Sequence, residues 1–216
     1  MSSVAEKISS SIRDGILKGE IKPGEPLREQ HLCNQFQVSR TPLREAFRIL
    51  QSEGFLIHQA NRGVIVNQIS ETEAMQLTEL RSSLEIVACR YAAVNISKKE
   101  LKELERLNES LLKAAYENEV KASFLDVRFH DGIAKAARND ALYELLTNVY
   151  RKLTLIINVL PTKRSRILHS YQEHAHILSA LALKDEALAS KYTEIHFHNS
   201  LNVFSQKVYN YVRGAD

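Results

Sequence analysis

The chain has 216 residues, a formal charge of +3, and only seven glycines and four prolines. Its length suits one large domain or a small one beside a medium one, and so weak a basic excess excludes a general polyanion-coating protein while leaving room for a local basic stripe. Two cysteines, Cys33 and Cys89, without CxxC spacing exclude a disulfide framework and a zinc ribbon. The segment MSSVAEKISSSIRDGILKGE has no unbroken apolar core, so no signal peptide is expected, and no stretch approaches the roughly 18 apolar residues of a membrane span. Long stretches rich in Leu, Ala, Glu and Lys predict a mainly helical protein, and the cysteine usage with the lack of a signal or spanning segment predicts a soluble, cytoplasmic one with no membrane partner.

Ile8, Ile12 and Ile16 recur four apart, so a first helix carries one apolar stripe and stops at the turn KPGEP, residues 22–26. A second helix starts near Arg28, with Leu32, Cys33 and Phe36 on its apolar face. Gln37, Val38 and Ser39 interrupt it, and Ser39, or Thr41 with Pro42 just inside, caps a third helix. In SRTPLREAFRILQSEG, Leu43, Ala46, Phe47 and Leu50 share one face while Arg40, Arg44 and Arg48 recur every four residues on another. Three guanidiniums in a row suit phosphates and guanines in a major groove, because the arginine fork can bond guanine O6 and N7. Gly54 ends this helix. FLIHQ and VIVNQ predict two short strands joined by a turn at Asn61 to Gly63, with Arg62 at its tip. Taken alone, the arginine stripe could be a solvated face with Glu45 and Glu53 as local partners. Three helices and a basic-tipped hairpin within 66 residues favour a winged helix-turn-helix that binds DNA.

PLREQHLCNQFQVSRTPLREAFRILQSEGFL followed by NRGVIV resembles the amino-terminal domain of GntR-type bacterial transcription regulators, over roughly residues 5 to 68. Ser39-Arg40-Thr41-Pro42-Leu43-Arg44-Glu45-Ala46 is very close to that family's recognition-helix signature. The resemblance implies that Arg40 and Arg44 contact operator bases or adjacent phosphates, that Ser39 and Thr41 bind backbone phosphate, and that the wing around Arg62 and Gly63 enters the minor groove. Arg28, Gln30 and Arg48 complete the expected DNA-binding set. Gln30 stands where FadR-type regulators carry an arginine.

From Ile69-Ser70-Glu71 onward the helical period is almost unbroken, which divides the chain into 1–68 and 69–216. Six helices are expected, at about 71–94, 97–117, 119–138, 140–159, 164–183 and 185–212, forming an all-α bundle. His130 follows Asp126 by one turn, on a face that continues through Ile133, Ala134 and Ala137. His174 keeps register with Ile177, Leu178 and Leu181, whereas His176 aligns with Ser179 and Ala180. His196 aligns with Leu188, Tyr192, Ile195 and Val203, whereas His198 aligns with Lys191, Glu194 and Asn202. One carboxylate and three imidazoles facing an apolar interior each need a partner. A divalent metal would satisfy all four, and such a set suits zinc, nickel, iron or manganese with positions left for water or a small ligand. Separately satisfied core histidines are the other reading, and helical phase does not decide between them.

Arg81-x-x-Leu84-Glu85, Asp126-x-x-x-His130, Glu173-His174 followed by Ile177-Leu178, and Asp185 through His196 make this second part similar to the FCD effector domain of FadR-subfamily GntR regulators. The six-helix count resembles the VanR branch. Many members with this pattern bind a metal, so the resemblance implies Asp126, His130, His174 and His196 as ligands of a divalent transition metal, zinc first, then nickel, manganese or iron. It also implies a small carboxylate effector such as an organic or sugar acid, and a homodimer on a palindromic double-stranded DNA operator. Arg81 could clamp the effector carboxylate with its planar fork or pair with Glu85 on its own helix. Asn158 could line the same cavity or simply lie exposed at a helix end. Two alternatives remain: a purely structural metal, and a metalloenzyme. The second is disfavoured because only Glu173 adjoins a ligand, and helix geometry turns it about 100 degrees from His174.

Overall fold

The computed structural model describes residues 3–157 and 162–212, with side chains for all of these except 71, 156, 157 and 204–212. Among them, the elements follow in the order α1 (Val4–Leu17), α2 (Glu29–Phe36), α3 (Arg40–Ser52), β1 (Leu56–Gln59), β2 (Gly63–Val66), α4 (Glu71–Asn95), α5 (Lys98–Glu117), α6 (Glu119–Ala136), α7 (Asp140–Ile157), α8 (Arg164–Leu183) and α9 (Glu186–Val212). The six helices expected after residue 69 are α4 to α9, each end within two residues of its expected place. The expected end of α7, residue 159, lies outside the described residues.

Local chemistry sets these boundaries. Ser3 and Glu6 form a capping box on α1: the Glu6 amide donates to Ser3 Oγ at 3.1 Å and the Ser3 amide to Glu6 Oε2 at 2.7 Å. Ser97 and Glu100 repeat the device on α5, while Ser70 and Asn118 cap α4 and α6. Gln37 (φ 54°) and Lys184 (φ 56°) end α2 and α8 in the left-handed region.

The first core joins Ile8, Ile12 and Ile16 of α1 to Leu43, Ala46, Phe47 and Leu50 of α3, with Leu32, Cys33, Phe55, Leu56 and Val66 closing it. A fork from Arg13 to Glu53, at 2.7 to 2.9 Å, ties α1 to the end of α3. The wing is an antiparallel pair with Leu56 opposite Val66 and Gln59 opposite Gly63. Its turn uses positive φ at Asn61 (64°) and Gly63 (74°). Residues 25–27 run along the free edge of β2, where the Leu27 amide donates to Val64 O at 2.9 Å and the Val66 amide to Glu25 O at 3.0 Å.

The second core is the α4–α9 bundle, whose interior is rich in small side chains, including Cys89, Ala92, Ala93, Ala136, Ala180 and Ala189. These let helices approach closely. A Cβ at Gly132 would lie 2.6 Å from Leu104 Cδ2, so the glycine gives the Leu104 side chain of α5 its seat against α6. The two cores are physically linked through α7. Its Leu155, 2% exposed, is buried in the first core, and its Lys152 pairs with Glu73 of α4 at 2.9 Å.

One face departs from its sequence expectation. The inward side of α9 is Ala189, Thr193, His196 and Phe197, while Ile195 is 43% exposed. The expected stripe lies one position off because α9 packs against both α4 and α8, so its buried sector is centred between the two neighbours. His196 is buried under either phase. No described helix is long and apolar enough to cross a membrane.

Candidate nucleic-acid interface and metal centre

All nine residues expected to meet DNA are on the surface: Arg28, Gln30, Ser39, Arg40, Thr41, Arg44, Arg48, Arg62 and Gly63. Ser39 is the N-cap of α3, ahead of Thr41, and its hydroxyl makes no capping bond to the helix. Arg40 Nη2 donates to Gln30 Oε1 at 3.3 Å. Arg44 forks onto Glu29 of α2, Nε to Oε1 at 3.0 Å and Nη2 to Oε2 at 3.1 Å. Glu53, a local partner of the arginine stripe in the solvated-face alternative, is taken by Arg13. At the wing, Arg62 donates to Gln59 Oε1 and to the Gly24 carbonyl, both at 3.2 Å. Arg28, Glu29, His58, Arg62 and Gly63 line one groove of about 500 Å³ between α2 and the wing.

In the bundle, α6, α8 and α9 bring Asp126, His130, His174 and His196 together so that one ligand atom from each lies within 4.8 Å of every other. The three imidazole centroids form a near-equilateral triangle with sides of 4.8, 4.9 and 5.1 Å. His130 and His174 are fully buried and His196 is 2% exposed. Phe129 stacks on His174 at 4.0 Å and Phe197 lies beside His130 and His196, which walls the triangle with apolar rings. The Asp126 side chain, 23% exposed, forms the one open side of the four.

What surrounds the triangle fixes which nitrogen faces inward. Asn108 on α5 donates through Nδ2 to the Tyr171 carbonyl at 3.1 Å, so its Oδ1 faces His174 and accepts from Nδ1 at 3.1 Å. Glu173 Oε2 accepts from His196 Nδ1 at 2.7 Å. Glu85 Oε2 lies 2.6 Å from His130 Nδ1, though not aligned for a hydrogen bond. With Nδ1 of His174 and His196 turned to acceptors and that of His130 beside Glu85, the Nε2 atoms face one another: His130 Nε2 and His196 Nε2 stand 3.1 Å apart, and His174 Nε2, with no hydrogen-bond partner, is 3.6 Å from Asp126 Oδ1. Such nitrogens repel unless a proton or a cation lies between them. A proton serves two groups, whereas a cation serves all four. Two imidazole nitrogens on one ion at about 2.1 Å would stand roughly 3.0 to 3.4 Å apart, so the donor set fits a divalent metal, as does the shell that orients it.

Electrostatics agree with neutral imidazoles at His174 and His196 beside ionised carboxylates at Glu85 and Glu173. Burial pushes His174 well below 6.5, and the neighbouring His196 and His130 charges push the same way. Burial also lowers His196, against the opposing hydrogen bond to Glu173. Burial alone would raise Glu85, but the charges of His130 and Arg81 overcome it and hold the carboxyl at about 2. Glu173 is likewise held at about 2 against burial, by hydrogen bonds from His196, Arg166 and Asn199. All four shifts make the metal-free fold acid-sensitive. Below 6.5 the unfolded chain takes up protons that His174 and His196 refuse in the fold, and between about 4.5 and 2 it takes up those that Glu85 and Glu173 refuse. The thermal midpoint of chelated protein should therefore be level above pH 7 and fall steadily below 6.5. Equal midpoints at pH 7 and pH 5 would contradict the buried neutral histidines.

Arg81 makes the pair with Glu85 that its own helix offers. Its Nε donates to Glu85 at 2.7 Å, while its buried Nη2 has no hydrogen bond and stands 3.9 Å from Asp126 Oδ2, with the guanidinium over the Tyr150 and Phe197 rings. Asn158, expected beside the same cavity, lies outside the described residues. Asn108 and Arg166 are contributors that the sequence reading does not name, and Glu173 is one whose partner it does not find. Asn108 is the most legible of them, being a lone amide in phase with Leu104, Leu111 and Ala115 on α5. Glu173 turns away from His174 as expected, yet in doing so reaches His196 on the neighbouring helix. Arg166, two turns before Glu173 and 5% exposed, ties that carboxylate at 2.6 Å to Ser200 Oγ and the His196 carbonyl.

Comparison with known proteins places both halves. The family of bacterial regulatory proteins named gntR matches residues 4–66, and the FCD domain matches residues 76–199. The Nta operon transcriptional regulator of Aminobacter aminovorans is 31% identical over 203 residues, spanning 90% of this chain and 94% of that protein. The gluconate operon transcriptional repressor of Bacillus subtilis (strain 168) is 28% identical over 191 residues, spanning 88% and 77%. Among solved structures, E. coli McbR/YncC shares the fold with a TM-score of 0.79 at 20% identity, over 96% of this chain and 99% of that one. A GntR transcriptional regulator from Rhodococcus sp. RHA1 does so with 0.82 at 23% identity, over 95% and 99%. Both families and the two relatives are transcriptional regulators rather than enzymes. The chain thus belongs to the GntR family of bacterial transcription regulators, a DNA-binding winged helix-turn-helix joined to an FCD domain.

Proposed function

We propose that this regulator works in the cytoplasm as a homodimer on a palindromic operator, and that its FCD domain holds one divalent transition-metal ion at which a small carboxylate is sensed. Residues 1–68 would carry DNA binding, and residues 69–216 the metal, the effector and the partner subunit. The observation that carries this reading is the convergence of three Nε2 atoms and the Asp126 carboxylate on one point, with Asn108 and Glu173 holding the opposite nitrogens of His174 and His196 and Glu85 beside that of His130. Asp126, His130, His174 and His196 would be the ligands, with zinc the best match to the donor set and nickel, manganese or iron alternatives. When bound, the ion supplies coordination positions for a carboxylate oxygen. The chain's own groups do the rest. Arg81, fixed through Nε to Glu85, presents Nη2 beside Asp126 as the second clamp for the carboxylate, with Asn158 retained in the effector set from the sequence. Phe129 and Phe197 keep water off the imidazoles.

On the DNA side, Arg40, Arg44 and Arg48 would face the major groove. Ser39 and Thr41 would hold phosphate at the start of α3, Arg28 and Gln30 would flank it, and Arg62 with Gly63 would enter the minor groove. The two halves are coupled through α7, which stacks Tyr150 on Arg81 and buries Leu155 in the winged-helix core. An effector can shift DNA affinity only by binding the two states differently. A carboxylate is favoured because a cation beside an arginine selects one, and because a relative bears the name of a gluconate operon.

Operator affinity of the metal-loaded protein, titrated with gluconate, lactate, citrate and acetate, tests this reading. At least one of them should change affinity by roughly 5- to 150-fold, and the change should vanish after chelation. A metal-loaded protein indifferent to all four would leave the metal structural and the carboxylate reading contradicted.

A further inference from the structure

We infer that Glu29 of α2 is a specificity-determining residue of the DNA interface, a positioning group that aims the Arg44 guanidinium at a base edge and keeps it off the phosphate backbone. The inference rests on α3 being the helix that reads DNA. Arg44 is 60% exposed at its side chain, and a long exposed arginine normally samples many rotamers. Here Glu29 engages Nε at 3.0 and 3.2 Å and Nη2 at 3.1 Å, a side-on grip on one edge of the planar group. The grip leaves the Nη1 and Nη2 end of the fork pointing onward, and that end matches guanine O6 and N7. Fixing the guanidinium before DNA arrives removes ordering cost from the binding step, which favours the one partner whose geometry fits.

Charge adds a second discrimination. The Glu29 carboxylate, 31% exposed, lies in the groove that Arg28, His58, Arg62 and Gly63 also line, on the face offered to DNA. A carboxylate there repels every phosphate, whatever the sequence, so it weakens non-specific binding most, while a bidentate Arg44 contact with the matching base offsets it only at the correct site. The neighbouring arginine shows the contrast. Arg40 leans on the neutral amide of Gln30 at 3.3 Å, through one contact, and so keeps its full attraction for phosphate.

The test uses the full chain and two duplexes: one selected from a random pool by the wild-type protein, and a scrambled duplex of equal composition. Affinities for both are measured for wild type, Glu29→Gln, Glu29→Ala and Arg44→Ala, with thermal midpoints to verify folding. Glu29→Gln keeps the shape and removes the charge. It should lose roughly tenfold on the selected duplex while holding or gaining two- to threefold on the scrambled one. A fall by the same factor on both duplexes would reduce Glu29 to a general structural role and overturn the inference. Tighter binding to the selected duplex would also overturn it, making Glu29 a competitor of DNA for Arg44. If Arg44→Ala itself leaves discrimination intact, the reading of α3 fails. If Arg44→Ala destroys discrimination and both Glu29 variants preserve it, only the role of Glu29 fails.

Discussion

Replacing His174 with alanine is expected to abolish stoichiometric metal binding and, with it, any dependence of the thermal midpoint on chelator. Loss of an outer partner of a metal ligand costs roughly 10- to 100-fold in affinity, and loss of the ligand itself should exceed that. His174 is the most informative of the four because its Nε2 faces the other ligands with no hydrogen-bond partner, its Nδ1 is held by Asn108, and Phe129 covers its ring. The variant also leaves a void behind Phe129, so its metal-free stability should fall by about 2 kcal/mol or more relative to metal-free wild type, as for other large-to-small core changes. The decisive comparison is therefore between loaded and chelated protein within each variant. Wild type should lose stability on chelation and His174→Ala should not. A His174→Ala protein that retains one ion per chain would refute the ligand set.

Arg44→Ala should produce the largest loss on the DNA side. A bidentate arginine–guanine contact discriminates by about 1 to 3 kcal/mol, and a twofold operator presents it twice, so the selected duplex should lose about 2 to 6 kcal/mol of binding, at least roughly thirtyfold. The thermal midpoint should hardly move, because the side chain is 60% exposed and its only strong contact is a surface ion pair. Salt dependence separates the roles further: loss of a base contact should leave the slope of affinity against salt near its wild-type value, whereas loss of a phosphate contact should reduce it by about one. Unchanged affinity for the selected duplex would contradict the placing of Arg44 at a base edge.

Much of this architecture is legible in the chain because local signals and tertiary demands coincide. Ile8, Ile12 and Ile16 read as a stripe and are buried as one, and Ser70, Ser97 and Asn118 mark helix starts that the fold uses. His174 and His196 separate from His176 and His198 by phase alone, since two residues on a helix differ by about 200 degrees, and the fold buries the first pair and exposes the second. Phase fails where one helix has two neighbours, and so Ile195 shares the stripe of His196 in the sequence yet is exposed in the fold, where Phe197 is buried. It is also silent about which side chains meet across helices. Glu173 turns away from His174, which disfavours it as a general base, but that same turn brings it to His196 on α9, and Glu85 meets both Arg81 on its own helix and His130 on another. Arg44 and Glu29 are 15 residues apart, and nothing periodic connects them. Such pairings belong to packing, which a single sequence does not display.

The most direct measurement is the elemental metal content of untagged, undialysed protein, repeated after equilibration with zinc, nickel and manganese in turn. About one transition-metal ion per chain is the predicted result, and it would identify the ion that draws the three Nε2 atoms and Asp126 together. No retained metal under any of these conditions would contradict the account, and would leave the histidine triangle as a polar network shared by protons or an effector that binds it directly.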